Sequence, residues 1–152
     1  MITNDVQYRS TKAHLRQFEE ALANLEQAAA AKPTKLQKLE IDAVPAQADD
    51  LRTELAEYER LSAGEVSTFE ASSLAGLATL LIKARIARGW TQRRLADELG
   101  VAEQQVQRYE ATDYRSASLA RICDVAGALG IDFIETAQLR DPDRSEEHTS
   151  EL

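Results

Sequence analysis

Residues 90–110 read WTQRRLADELGVAEQQVQRYE. Leu95, Ala96 and Leu99 recur at helical spacing, and Thr91 just before them can cap a helix by accepting an orphan backbone N–H. Gly100 stands where that helix must end, in a left-handed turn that glycine adopts without steric cost. A second helical pattern then starts at Glu103 and runs to about Glu110, with Val106 and Tyr109 turned inward. The small side chain of Ala96 lets two helices cross closely. A glycine, an apolar residue and a further apolar residue five positions on set the second helix at a wide angle to the first, with its outer face free. That outer face is Glu103, Gln104, Gln105, Gln107 and Arg108. Glutamine and arginine make paired hydrogen bonds to adenine and guanine edges in the major groove, and a carboxylate can accept from cytosine. These five residues are the candidate base contacts. Arg93, Arg94 and Arg115 are candidate contacts to the nucleic-acid backbone, or a solvated face.

On the N-terminal side of this stretch, residues 74–88 form a helical pattern with Leu77, Leu81, Ile82 and Ile86 apolar and Gly89 as its stop. Ser72 or Ser73 can cap it. Trp90 reads as a core plug. After the loop ATDYRSAS, residues 118–129 form another helix, with Leu119, Ile122, Val125, Ala126 and Leu129 toward the core and Gly130 at its end. Cys123 reads as a small core residue.

The chain is acidic, with a net charge of −8 over 152 residues, but the charge is uneven. Residues 1–73 hold 8 basic and 13 acidic side chains; residues 74–130 hold 8 and 6; residues 131–152 hold 2 and 7. The quoted stretch lies in the one basic section. Fields are screened beyond about 8 Å at physiological salt, so binding to phosphate depends on the local balance rather than the total. A single cysteine excludes a disulfide framework and suits a reducing cytoplasm. No signal segment and no run of 18 apolar residues argues for export or membrane insertion. There is no nucleophile elbow, phosphate loop or zinc spacing, and two histidines leave little for acid–base chemistry. The expectation is a cytoplasmic protein that is not an enzyme and needs no metal or cofactor.

The N-terminal half reads as two long amphipathic helices. Asn4 or Asp5 caps the first, over residues 5–31, whose apolar positions Tyr8, Leu15, Phe18, Leu22, Leu25 and Ala29 step like a coiled-coil seam. Pro33 and Thr34 make the turn. The second carries Ile41, Val44, Ala48, Leu51, Leu55, Tyr58 and Ser62, and Gly64 ends it. Pro45 either kinks it or begins a new helix. Each helix is about 42 Å long, and a short turn implies an antiparallel hairpin. Tyr8, Leu15, Phe18, Leu22, Leu51, Leu55 and Tyr58 are candidates for a partner interface; the plainer reading closes them on one another or on the C-terminal domain. The organisation is therefore a hairpin over residues 1–64, a linker over 65–73, a domain over 74–131 and a tail over 132–152. Residues 144–152, RSEEHTSEL, resemble the translation of a sequencing adapter and are read as foreign to the fold.

TQRRLADELGVAEQQVQRYEA resembles the Cro/CI-type helix-turn-helix, also called the XRE family. The matching positions are Arg85, Gly89, Thr91, Gln92, Leu95, Ala96, Gly100, Val101, Tyr109, Glu110, Leu129, Gly130 and Ile131. Few glycines and prolines and many Ala, Leu, Glu and Arg argue for an all-α chain; the resemblance, over about residues 74–131, implies that a five-helix, lambda-repressor-like domain follows the long helical hairpin. It implies that Gln92 touches a phosphate and braces the recognition helix. It also implies a homodimer on double-stranded operator DNA, acting as a transcriptional regulator, in particular a repressor. Three departures stand out: Ala102 replaces the usual Ser or Thr cap, Glu103 stands where a neutral or basic residue is commoner and repels phosphate, and the loop after Glu110 lacks the usual glycine. The helical N-terminal region makes the architecture similar to HigA-type antitoxins of type II pairs, which implies a cognate toxin as partner. A rival reading is a protein-interaction module that keeps the helix-turn-helix only as a scaffold.

Overall fold

The computed structural model describes residues 1–29 and 34–141, and within them the chain is all-helical. Its helices are α1 (Asp5–Ala28), α2 (Lys35–Ser62), α3 (Gly76–Ala87), α4 (Gln92–Leu99), α5 (Glu103–Ala111) and α6 (Leu119–Leu129). The turn at Pro33, the last residues expected in the first helix and residues 144–152 lie outside the described residues.

Local chemistry sets most boundaries. The Asn4 side chain accepts from the Gln7 amide and opens α1. Thr34 and Gln37 form a reciprocal capping box that opens α2 well before Pro45. Pro45 therefore sits inside α2 rather than starting a new helix, where it lacks the N–H for the preceding turn and its ring crowds the carbonyl four residues back. Thr91 and Ser118 cap α4 and α6, and Gly100 and Gly130 end them in the left-handed conformation, at φ 67° and 66°. Ser73 accepts from the Gly76 amide at 3.2 Å at the start of α3.

α1 and α2 run antiparallel. The rings of Tyr8 and Tyr58 stack with centroids 5.1 Å apart. The Tyr8 hydroxyl donates to Glu59 at 2.6 Å and the Tyr58 hydroxyl to Asp5 at 2.9 Å. Further along, Arg52 meets Glu19 at 3.0 Å. The last pair is half-exposed and contributes little; the tyrosine stack and the apolar seam hold the helices together.

One continuous core joins the hairpin to the C-terminal helices. It combines Ile2, Leu55, Tyr58 and Leu61 with Leu81, Ile82, Leu95, Val106, Val125 and Leu129, all buried. The resemblance implies five helices in the C-terminal domain; four are present among the described residues, and the hairpin end completes their core. The stretch over residues 65–73 is largely exposed but rests Val66 and Phe69 against this core.

Two inward expectations are corrected. Leu119 is 73% exposed, because the first turn of α6 projects past the core that Val125, Ala126 and Leu129 fill. Cys123 is exposed as well. It lies about 100° around the helix from Ile122, at the edge of the buried stripe.

A shared core makes a testable demand. Leu61→Ala, on the hairpin, should cost about 2–5 kcal/mol. The same loss should register at Trp90 fluorescence in the C-terminal domain and in far-ultraviolet circular dichroism, as a single transition. A Trp90 signal that ignores the substitution would mean two independent cores.

Candidate nucleic-acid interface

α4 and α5 are set by the turn between them. The Gly100 amide bonds the Asp97 carbonyl at 3.2 Å, and the Val101 amide returns to the Ala96 carbonyl at 3.0 Å. Two such bonds at a left-handed glycine close α4 and send the chain off at an angle. Val101 packs partly against the core. Ala102 then precedes α5 with no side-chain cap, as its methyl group dictates.

α5 divides into two faces. Val106, Tyr109 and Glu110 are buried. Glu103, Gln104, Gln107 and Arg108 are exposed, and Gln105 is half-buried at the edge. None of these five side chains makes a hydrogen bond within the described residues, so their polar groups are open to an outside partner. Glu103 lies in the first turn, where its charge suits the positive helix end.

The groups expected at the nucleic-acid backbone are distributed differently. Arg93 and Arg115 are exposed and form no ion pair among the described residues. Arg94 is engaged twice: it pairs with Glu98 at 3.0 Å, and its guanidinium lies 5.0 Å from the centre of the Trp90 ring. Trp90 is half-buried: it packs against the core, as its sequence position suggests, with Arg94 over its ring. Gln92 is buried, and its amide nitrogen donates to Glu110 at 2.7 Å. The resemblance implies two roles for Gln92. Of these, the structure describes the side chain's hydrogen bond to Glu110 on α5.

The basic section is less basic than its composition. Lys83 pairs with Glu57 at 2.8 Å, Arg85 is buried, Arg88 donates to the Leu129 carbonyl at 2.8 Å, and Arg121 lies 3.8 Å from Asp124. Only Arg93, Arg108 and Arg115 among its cations are left without an internal partner in the described residues.

Beneath the α5 face lies a group that residue spacing did not single out. Arg85 on α3 donates to both oxygens of Glu110 on α5, at 2.6 and 3.0 Å. It also donates to the Trp90 carbonyl at 2.8 Å and to the Thr3 carbonyl at 2.5 Å. Its side chain is 3% exposed and that of Glu110 is 2% exposed. With Gln92 added, the Glu110 carboxylate accepts three hydrogen bonds, from α3 and α4. A buried charge pair is tolerated when its remaining donors and acceptors are satisfied in this way. Both residues stand among the motif positions, but their pairing is a tertiary contact between residues 25 positions apart.

The loop after α5 bears the strain that a glycine would relieve. Asp113 and Tyr114 themselves take positive φ, 50° and 56°. The Tyr114 amide bonds the Tyr109 carbonyl at 2.7 Å, and the two rings stack at 5.8 Å. Burial of the Tyr114 ring offsets a backbone strain of about 1–3 kcal/mol per residue. Its hydroxyl is buried with no hydrogen-bond partner among the described residues.

The candidate partner residues of the hairpin face inward. Leu55 and Tyr58 are buried in the chain's own core, and Tyr8, Leu15, Phe18, Leu22 and Leu51 are partly buried. Of these, Leu55, Tyr58, Tyr8 and Leu15 lie in or against the chain's own core. Large apolar side chains left exposed on the hairpin are Val6, Leu36 and Leu39. Among the described residues no group of three or more His, Cys, Asp or Glu is placed to hold a metal ion, and no helix is long and apolar enough to cross a membrane.

Residues 81–135 match the family model described as Helix-turn-helix. No curated protein and no solved structure matches the chain. The geometry of α4 and α5 and this match support a Cro/CI-type, or XRE-family, helix-turn-helix domain over the matched residues, a domain found in DNA-binding transcriptional regulators.

Two outcomes are expected from the buried groups. Glu110→Ala should cost about 3–5 kcal/mol in urea unfolding by leaving Arg85 buried and unpaired, and the double variant Arg85→Met, Glu110→Leu should recover much of that loss. Burial, with the Glu110 charge second, holds the Tyr114 phenol above its ordinary range. The folded form thus favours the proton, and stability present below about pH 10 falls as pH rises beyond it. Tyr114→Phe should be neutral or stabilising at pH 7, and should soften the alkaline loss in thermal melts from about pH 9 to 11.

Proposed function

We propose that this chain is a sequence-specific repressor that binds operator DNA as a homodimer, with α5 in the major groove. The observation that carries the reading is the division of α5. One face is locked by the core and by Arg85 and Gln92, while Gln104, Gln105, Gln107 and Arg108 present unbonded amide and guanidinium groups. Gln104, Gln107 and Arg108 read base edges; Glu103 accepts from cytosine; Gln105 reaches bases at the margin of the contact. Arg93 and Arg115 hold the phosphate backbone, and Arg94 can join them by leaving Glu98. Two copies would place their α5 helices about 34 Å apart on a near-palindromic site. Residues 74–131 supply the DNA contact and residues 1–64 the protein contact.

A sharper form of the proposal makes the chain the antitoxin of a type II pair, acting in the cytoplasm. Its support is the acidic hairpin, which suits a basic toxin, and the exposed Leu36 and Leu39. Fluorescence anisotropy against the DNA upstream of its own gene and against scrambled DNA, at about 50 to 200 mM salt, tests the reading. Gln104→Ala and Arg108→Ala should each cost more than about 1 kcal/mol on the preferred site alone. Arg93→Ala should weaken all binding and reduce the salt slope by about one. Equal, weak binding to both DNAs, unchanged by these substitutions, would instead make the helix-turn-helix a scaffold for protein contact.

A further inference from the structure

We propose that residues 2–4 form a strap that positions the DNA-binding helices, so that a protein partner lifting this strap weakens DNA binding. The inference rests on the DNA-binding reading above. Two segments 82 residues apart in sequence meet at Arg85. Its Nη2 donates both to the Thr3 carbonyl, at 2.5 Å, and to the Glu110 carboxylate, at 3.0 Å. A second link runs parallel to the first. The Asn4 amide nitrogen reaches the Gln92 side-chain oxygen at 3.5 Å, and the Gln92 nitrogen donates to the same Glu110 oxygen at 2.7 Å. The strap therefore touches one residue of α3 and one of α4, and each of these holds Glu110 on α5. Arg108, on the open face, lies two residues before Glu110.

The other end of the strap belongs to the hairpin. Asn4 divides its side chain: Oδ1 accepts from the Gln7 amide at 2.8 Å and caps α1, while Nδ2 points to the DNA-binding helices. Ile2, 4% exposed, pins the strap into the shared core. Tyr58, itself in that core, holds α1 through its bond to Asp5. A partner that tilts α1 away from α2 must draw Thr3 and Asn4 with it. Arg85 and Gln92 would then each lose a partner in a buried site, a loss the α4–α5 pair can relieve only by moving. The coupling is reciprocal, so DNA that holds α5 in place also holds the strap down.

Three full-length variants test this. Ile2→Ala loosens the strap, Ile2→Val keeps its shape, and Asn4→Asp keeps the α1 cap while removing the donor to Gln92. Amide hydrogen exchange without DNA should show residues 92–111 exchanging about tenfold faster in Ile2→Ala and Asn4→Asp, with α6 unchanged and Ile2→Val like the parent. Their Kd for the preferred DNA should rise by about tenfold, the usual scale of coupling between two sites. Unchanged exchange and unchanged Kd in both would overturn the strap. So would equal acceleration in α5 and α6, which would make residues 2–4 simple core filler. Should the parent bind no DNA selectively, the DNA-binding reading fails by itself, while the exchange data still report whether the strap holds α4 and α5.

Discussion

The buried Arg85–Glu110 pair is the constraint around which the C-terminal helices are arranged. Taking two charges out of water costs several kcal/mol per ion, and mutual attraction offsets that only with good geometry and full hydrogen bonding. Here the geometry is bidentate, and the surplus donors and acceptors find Trp90, Thr3 and Gln92. Trp90 and Gln92 stand at the entry to α4, and Thr3 precedes α1. A pair so satisfied does more to fix one arrangement than to deepen stability. It sets where α5 lies relative to α3, and so where Gln104 and Arg108 can reach.

The same logic explains why the surface is poorer in free cations than composition implies. A cation counted along the chain has no address. Once folded, Lys83 and Arg88 tie elements together and Arg121 pairs along its own helix, while Arg94 lies over Trp90. The positive field that remains is concentrated at Arg93, Arg108 and Arg115. A small, local field of this kind limits non-specific adhesion to nucleic acid, because such adhesion grows with the number of phosphates neutralised.

Elements set by local chemistry were readable from residues alone. Asn4, Thr91, Ser118, Gly100 and Gly130 act within a few positions of themselves, and the structure uses each as its chemistry requires. Features set by tertiary contact were not. Cys123 and Leu119 carry the right polarity for a core, but burial depends on what faces them across the fold. The hairpin seam showed the period of an interface without saying whether the facing stripe belonged to the same chain. The open face of α5 was readable in both composition and spacing. The brace beneath it was not, since no period links Thr3, Arg85, Gln92 and Glu110.

The stretch between hairpin and helix-turn-helix domain carries a consequence for how such a chain can be rearranged. Val66 and Phe69 lie against the same core that Ile2, Leu55, Tyr58 and Leu61 help to fill. What reads in one dimension as a tether is, in three, part of the core's cover. Removing the hairpin together with this stretch would uncover the core where Val66, Phe69, Leu55 and Leu61 pack. The two halves thus share one core, and a different hairpin could replace this one only if it refilled the places of Leu55, Tyr58 and Leu61.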